Sequence, residues 1–389
     1  MAEDDTGRRV AGARRQRGLT QRELAELSRV SVSAIRKIEQ GAAEWDIRVE
    51  MLRRLAVALE VPTASLLEDP PRVPAAETDR MWDGVREAIL HPAARGGEPA
   101  AEAGLLSALD AAVGLYHDNR YRELSRVLPA VIRDAEDAPP LLRSRVHQLA
   151  GSVMVQTRNR NAARVALDRS VADAEAAGGP LDAASATITK CWLLLTERRF
   201  REVMDLSAQW ADRVEPRMST AGVRDLSVWG WLLLRGSAAA IRNNDAAEAA
   251  DRMRLAQAAA AACGREQGGY KMYWTTFGPA TTQMKRVENA VVDGRPDIAL
   301  RLAREVPPSR PTSDNRNRHL LDVASAHLEL GRWDESLSVL SRLHAEAGAW
   351  LAEQGMARGI LQGILSRRRV YTPEMRELAR FLHLEPTGR

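Results

Sequence analysis

Apolar positions in this chain recur at helical spacing almost from end to end, and no stretch alternates apolar and polar residues as a half-buried strand does. The first segment breaks into short amphipathic pieces with clear punctuation. "TGRRVAGARRQRG" is a first helix ending at Gly18. "TQRELAELS" starts with Thr20 and Glu23 at capping-box spacing, and a third helix over residues 31–40 follows after a very short turn. "DIRVEMLRRLAVALEV" puts Val49, Leu52, Leu55, Ala56 and Leu59 at helical spacing and stops at Pro62. A last turn, "TASLLED", brings Leu66 and Leu67 back towards the core.

The third helix, "SVSAIRKIEQG", has one buried and one presented face. Ser31 caps its first turn and Gly41 suits the left-handed residue that closes it. At 100° per residue, Val32, Ser33, Arg36 and Lys37 span an arc of roughly 140°, opposite Ile35 and Ile38. A helix this short is not stable alone, so its neighbours hold it.

Residues 70–80 and 91–104 are rich in Pro, Gly and Ala and read as linkers, with the short helical segment "MWDGVREAIL" between them. Beyond them one turn recurs between helices: "DNRYRE", "RNRNAA", "ERRFRE", "RNNDAA", "DGRPDI" and "LGRWDE". Counted from Tyr121, Asn161, Phe200, Asp245, Pro296 and Trp333, the steps are 40, 39, 45, 51 and 37 residues. Helical hairpins in series at such a period make a solenoid, each pair burying its apolar face on the next. The expected organisation is therefore all-α: a small multi-helix domain over 1–69, a linker over 70–104 and a repeat domain over 105–389.

Charge sharpens the picture for the first domain only. A net +4 over 389 residues is too small to argue a nucleic-acid partner. Between Arg8 and Lys37, however, Arg8, Arg9, Arg14, Arg15, Arg17, Arg22, Arg29, Arg36 and Lys37 stand against Glu23 and Glu26, a local +7, while the following residues to Asp69 are acidic on balance. One side of a small domain is thus positive, as a phosphate-facing surface requires.

With these features together, "GARRQRGLTQRELAELSRVSVSAIRKIEQG" and the following "LRRLAVAL" resemble the XRE (lambda-repressor-like) helix-turn-helix family over about 65 residues. The resemblance implies a five-helix domain whose third helix enters the major groove of double-stranded DNA. It implies base contacts from Val32, Ser33 and Lys37, with Arg36 nearby, and a phosphate contact at Gln21. The chemistry agrees: Val32 suits a thymine methyl, Lys37 a guanine edge and Ser33 either kind of base, with Arg15 on the basic face as a phosphate contact. The resemblance further implies a partly buried ion pair of Arg14 with Glu39. At the turn, Arg29 stands where that family usually has Gly, and a left-handed conformation there costs a non-Gly residue roughly 1 kcal/mol.

The sixth hairpin resembles a tetratricopeptide repeat, with Leu320, Val323, Ala324, His327, Gly331, Trp333, Ser336 and Leu340 at its core spacing; the others are degenerate. The second body is also similar to those of Arg- and Ala-rich actinobacterial regulators. Related architectures imply a homodimer on a two-fold operator and a repeat domain that binds a signalling peptide or small molecule. Aromatic placement points the same way. Of 17 aromatic residues, nine fall between Trp192 and Phe277, next to Thr and Gln, and a ligand pocket combines apolar walls with a few orienting polar groups. Trp229, Tyr273, Trp274 and Phe277 are the expected walls, with Arg235 and Thr281 as polar contacts. Trp229 and Trp231, two apart on one helix, cannot both face one core, so one of them is expected on the inner surface.

Catalytic signals are missing. There is no GxSxG, GxGxxG, P-loop or HExxH, and His319, Asp322 and His327 lack a further ligand at metal spacing. Cys191 and Cys263 have no CxxC or His companion and read as buried free thiols. No enzyme activity, cofactor or metal is expected. No apolar run reaches the roughly 18 residues of a membrane span, and "MAEDDTGRRV" lacks the apolar core of a secretory signal. The expectation is a cytoplasmic regulator, nucleoid-associated when bound to DNA. Its alternative is a DNA-tethered adaptor whose repeats bind a partner protein.

Overall fold

The computed structural model describes residues 5–41, 49–61, 63–66, 77–92, 101–266, 276–309, 312–368 and 370–384, and among them every regular element is helical. The head comprises α1 (Asp5–Gln16), α2 (Gln21–Ser28), α3 (Val32–Glu39), α4 (Val49–Ala58) and α5 (Thr63–Leu66). Its helix starts follow the local chemistry. Thr20 accepts from the Glu23 N–H while the Glu23 carboxylate accepts from the Thr20 N–H, and Ser31 accepts from the Ala34 N–H. Val10, Leu24, Ile35, Ile38, Leu52, Leu55, Leu59 and Leu66 close over one another as the core. Arg29 takes the left-handed conformation at φ 54°, so the tight turn is kept with a side chain where Gly is cheaper.

The short helix expected inside the linker is present as α6 (Asp83–Leu90), preceded by a 3-10 turn over Glu77–Trp82. It is no spacer. Trp82, Val85 and Ile89 are buried in the body's core, and the Ile89 carbonyl accepts from Arg169. The structural body therefore starts before residue 105.

Six hairpins follow. They are α7 (Glu102–His117) with α8 (Tyr121–Asp134), α9 (Pro140–Gln156) with α10 (Arg160–Ala176), and α11 (Pro180–Thr196) with α12 (Phe200–Arg213). Next come α13 (Val223–Arg242) with α14 (Ala246–Cys263), α15 (Pro279–Val292) with α16 (Pro296–Arg304), and α17 (Ser313–Glu329) with α18 (Trp333–Ala352). Each hairpin turn uses one left-handed residue two positions before the second helix: Asn119, Arg158, Arg198, Asn244, Gly294 and Gly331. First helices pack on one another in the order α7, α9, α11, α13, α15, α17, and each second helix also packs on the next first helix, which is the stacking of an α-solenoid. Two further helices, α19 (Gly355–Leu365) and α20 (Pro373–Phe381), complete the last layer.

The solenoid curls until its ends meet. Buried residues of the first hairpins, among them Tyr116, Leu128 and Met154, share one core with Leu340, Trp350 and Leu361 of the last. Ser313 donates to the His117 carbonyl, and Gly355 lies so close to Arg158 that an added Cβ would sit 2.1 Å from its Nη2.

The head is docked on this ring. Its core continues into Cys191, Leu194, Phe200, Val203 and Ala239 of the body. Arg53 of α4 reaches the C-terminal ends of two first helices: Nε donates to the Ile241 carbonyl at 2.8 Å, Nη1 to the Val292 carbonyl at 2.5 Å and Nη2 to Asp293 Oδ1 at 2.6 Å. A cation suits that place, because the dipoles of α13 and α15 both end there.

Candidate nucleic-acid interface

The presented face of α3 is built by what lies behind it. Ile35 and Ile38 are buried, and Gly7 of α1 lies against the helix's C-terminal end, where an added Cβ would come within 2.3 Å of the Ile38 carbonyl oxygen. Ser33, Arg36 and Lys37 consequently stand exposed on the opposite side, and Val32 is half-exposed. Ser33 Oγ is 3.1 Å from Ser31 Oγ, so the N-terminal turn offers two hydroxyls and unpaired backbone N–H groups together. Arg15 is exposed on α1.

The height of this face is fixed by the expected ion pair. Arg14 Nε donates to Glu39 Oε1 at 2.6 Å and Nη2 to Oε2 at 2.9 Å, while Nη1 donates to the Leu19 carbonyl at 2.8 Å. Only 12% of the Arg14 side chain and 7% of the Glu39 side chain remain accessible. Burial opposes ionisation of Glu39, but hydrogen bonds from Arg14 and Gln21 and the charges of Arg14 and Arg15 outweigh it and hold its pKa below the usual carboxylate value. The pair ties the end of α3 to α1 and leaves the reading face free.

Residues 11–66 match the helix-turn-helix family. The head is a DNA-binding helix-turn-helix domain. No curated protein and no solved structure matches the chain significantly. In the helix-turn-helix domain, the structure brings Val32, Ser33, Arg36 and Lys37 onto one face, with Arg15 exposed on α1 and its charge acting on Glu39. Gln21 differs from expectation. Its amide nitrogen donates to Glu39 Oε2 at 2.8 Å, so its side chain braces the ion pair, and what it offers a phosphate is its backbone N–H at the start of α2.

The expected ligand contacts in the body fare unevenly. Tyr273 and Trp274 lie outside the described residues. Trp229 is buried in the core of the middle hairpins, and the end of the Phe277 ring abuts Gly230, where an added Cβ would sit 2.0 Å from its Cζ. Thr281 is buried and held by Glu266 and the Thr276 hydroxyl. These three are packed, Phe277 through the close approach that Gly230 permits and Thr281 through its hydrogen bonds. Arg235 alone reaches the interior of the ring. The aromatic rings beside it are Trp231, four residues earlier on α13, and Trp192 of α11, which the spacing reading placed in the aromatic cluster but not in the site. The signal that finds them is the i, i+4 relation of Trp231 to Arg235.

No group of three metal-binding side chains occurs among the described residues. Burial pushes His319 down to about 4. Cys191 and Cys263 are buried free thiols, and burial pushes Cys191 up to about 12. No helix among the described residues is long and apolar enough to cross a membrane.

Proposed function

We propose that the protein is a sequence-specific transcriptional regulator in which a TPR-like ring senses a small molecule or peptide and modulates operator binding, acting as a cytoplasmic homodimer on a two-fold site. The observation that carries this reading is the Arg53 clamp. It fastens the DNA-binding domain to the ends of α13 and α15, and these two helices also carry Arg235, Arg242, Lys285 and Glu288 into the ring interior. A ligand that favours one arrangement of α13 against α15 thereby favours one placement of the head, and the coupling is as large as its differential affinity for the two arrangements. The adaptor alternative finds less support, since the exposed large apolar side chains come singly from separate elements, as with Leu27, Met218 and Leu255.

Binding of the full chain to genomic fragments, with and without extract of the source cell, tests the reading. Lys37→Ala and Ser33→Ala change which sequence is preferred, whereas Arg15→Ala weakens all sequences and lowers the salt slope by about one. Equal losses on matched and scrambled duplexes for all three variants refute the reading-face assignment. Operator binding that ignores the extract refutes the sensing.

A further inference from the structure

Three acidic and four basic side chains lie within electrostatic reach of one another inside the ring. Arg235 and Asp314 also act on Tyr116 of α7, so helices from both ends of the stack meet there. The acids are all engaged. Glu288 accepts from Arg242 Nη2 at 2.6 Å and from Lys285 Nζ at 2.9 Å, and Asp322 Oδ1 lies 3.4 Å from Arg318 Nε. Asp314 accepts from the Trp350 indole N–H at 2.7 Å. Arg235 is the cation left over. Among the described residues it makes no ion pair or hydrogen bond, and its Nε is closed off from water without an acceptor. What it has is aromatic faces: its guanidinium carbon lies 5.0 Å from the Trp231 ring centre and 6.0 Å from that of Trp192, and Lys285 Nζ lies 5.7 Å from Trp231. The cluster is not sealed from solvent: 35% of the Arg318 side chain stays accessible.

A buried guanidinium without an acceptor is unfavourable, and ring faces offset only part of that. A carboxylate completes it, because two parallel N–H donors match two carboxylate oxygens. The surplus is a single positive charge, which suits a monoanion. Trp192 is half-exposed beside it, whereas Trp231 is closed in behind the guanidinium with its N–H donated to the Thr276 carbonyl. A flat apolar body attached to the carboxylate therefore has one aromatic wall to lie on.

We infer that the ring interior binds a small organic acid, its carboxylate on Arg235 and its flat apolar body against Trp192. This deepens the sensing reading above and rests on it. A peptide C-terminus carries the same carboxylate, so the test separates the two sources.

Calorimetric titration of the full-length protein with benzoate, its uncharged isostere benzamide, the tripeptide Ala-Ala-Phe and that tripeptide's amide decides the matter. Benzoate is expected to bind at least about tenfold tighter than benzamide, and Arg235→Gln to remove that difference while Arg235→Lys keeps part of it. If Arg235→Gln loses helical signal, the comparison of acid with amide on the wild type decides alone. Equal binding of acid and amide, no binding of benzoate at millimolar concentration, or undiminished benzoate binding by a folded Arg235→Gln overturns the inference. Tighter binding of the free tripeptide than of benzoate, lost in its amide, moves the carboxylate to a peptide and overturns the small-acid assignment. The sensing reading fails separately. Extract that shifts operator binding equally in wild type and Arg235→Gln sustains sensing and removes this site, whereas extract without effect on either removes sensing whatever benzoate does.

Discussion

Replacing Glu39 by Gln isolates the charge that sets the reading helix on its bed. Glu39 accepts three hydrogen bonds, with Arg14 Nη2 at 2.9 Å and Gln21 Nε2 at 2.8 Å both directed at Oε2. An amide of the same shape keeps one acceptor oxygen. Its NH2 then confronts at least one of these donors, and Arg14 is left as an uncompensated, largely buried cation. A hydrogen bond to a charged group contributes about 1.5–3 kcal/mol; with the amide oxygen at the Oε2 position the bond from Arg14 Nε is lost and the other two lose their charge, so the local cost is about 3 kcal/mol. Amide hydrogen exchange in the full-length protein reads this directly: α3 amides are expected to exchange about 100-fold faster in Glu39→Gln, with exposed Glu26→Gln as the control. The pH dependence has a definite sign. Because the folded pKa of Glu39 lies below its unfolded value of about 4.3, its stabilisation is complete above that value and is lost as pH falls through the folded pKa. Wild type and variant therefore differ fully at neutral pH and converge only in strong acid. Exchange rates in α3 within a factor of about three of wild type at neutral pH would refute the reasoning.

Arg53→Met removes three charge-assisted bonds between head and ring. It is expected to uncouple extract from operator affinity while a mobility-shift assay at low salt still shows DNA binding; retained coupling counts against the clamp. His147 lies between Glu136 and Asp173 with 1% of its side chain accessible, and burial pushes it down to about 4. The folded state thus disfavours the proton that the unfolded chain binds below about 6.5, so wild type loses stability as pH falls from 7 to 5. His147→Gln, which cannot titrate, gains on it by about 2 kcal/mol over that interval, as read from urea midpoints.

Local chemistry made the head legible. The Thr20 to Glu23 capping box, the Ser31 cap and the opposition of Ile35 and Ile38 to Lys37 lie within a few residues of one another, and each appears where the spacing puts it. The hairpin turns were legible for the same reason. Four features were not. The closure between Ser313 and His117 spans 196 residues and the Arg53 clamp up to 240, and nothing local marks either partner. Helical geometry led to the expectation that Trp229 and Trp231 cannot share one core, yet both are buried in the core of the middle hairpins, where Phe277 of a neighbouring hairpin fills the notch at Gly230 between them, a contact nothing local marks. Gln21 turned inward because Glu39 has an acceptor oxygen to spare for it, which follows from the geometry of a pair and not from either residue alone.

The meeting of first and last hairpins has a consequence for how this body comes apart. An open array unravels from its termini, since end repeats have a neighbour on one side only and each boundary can melt by itself. Here the terminal hairpins hold each other, so fraying at either end exposes the apolar surface of both. Unfolding is then concerted around the circle, one transition in place of a ladder of partial ones, and deleting α19 and α20 is expected to loosen α7 and α8, more than 200 residues away in the chain.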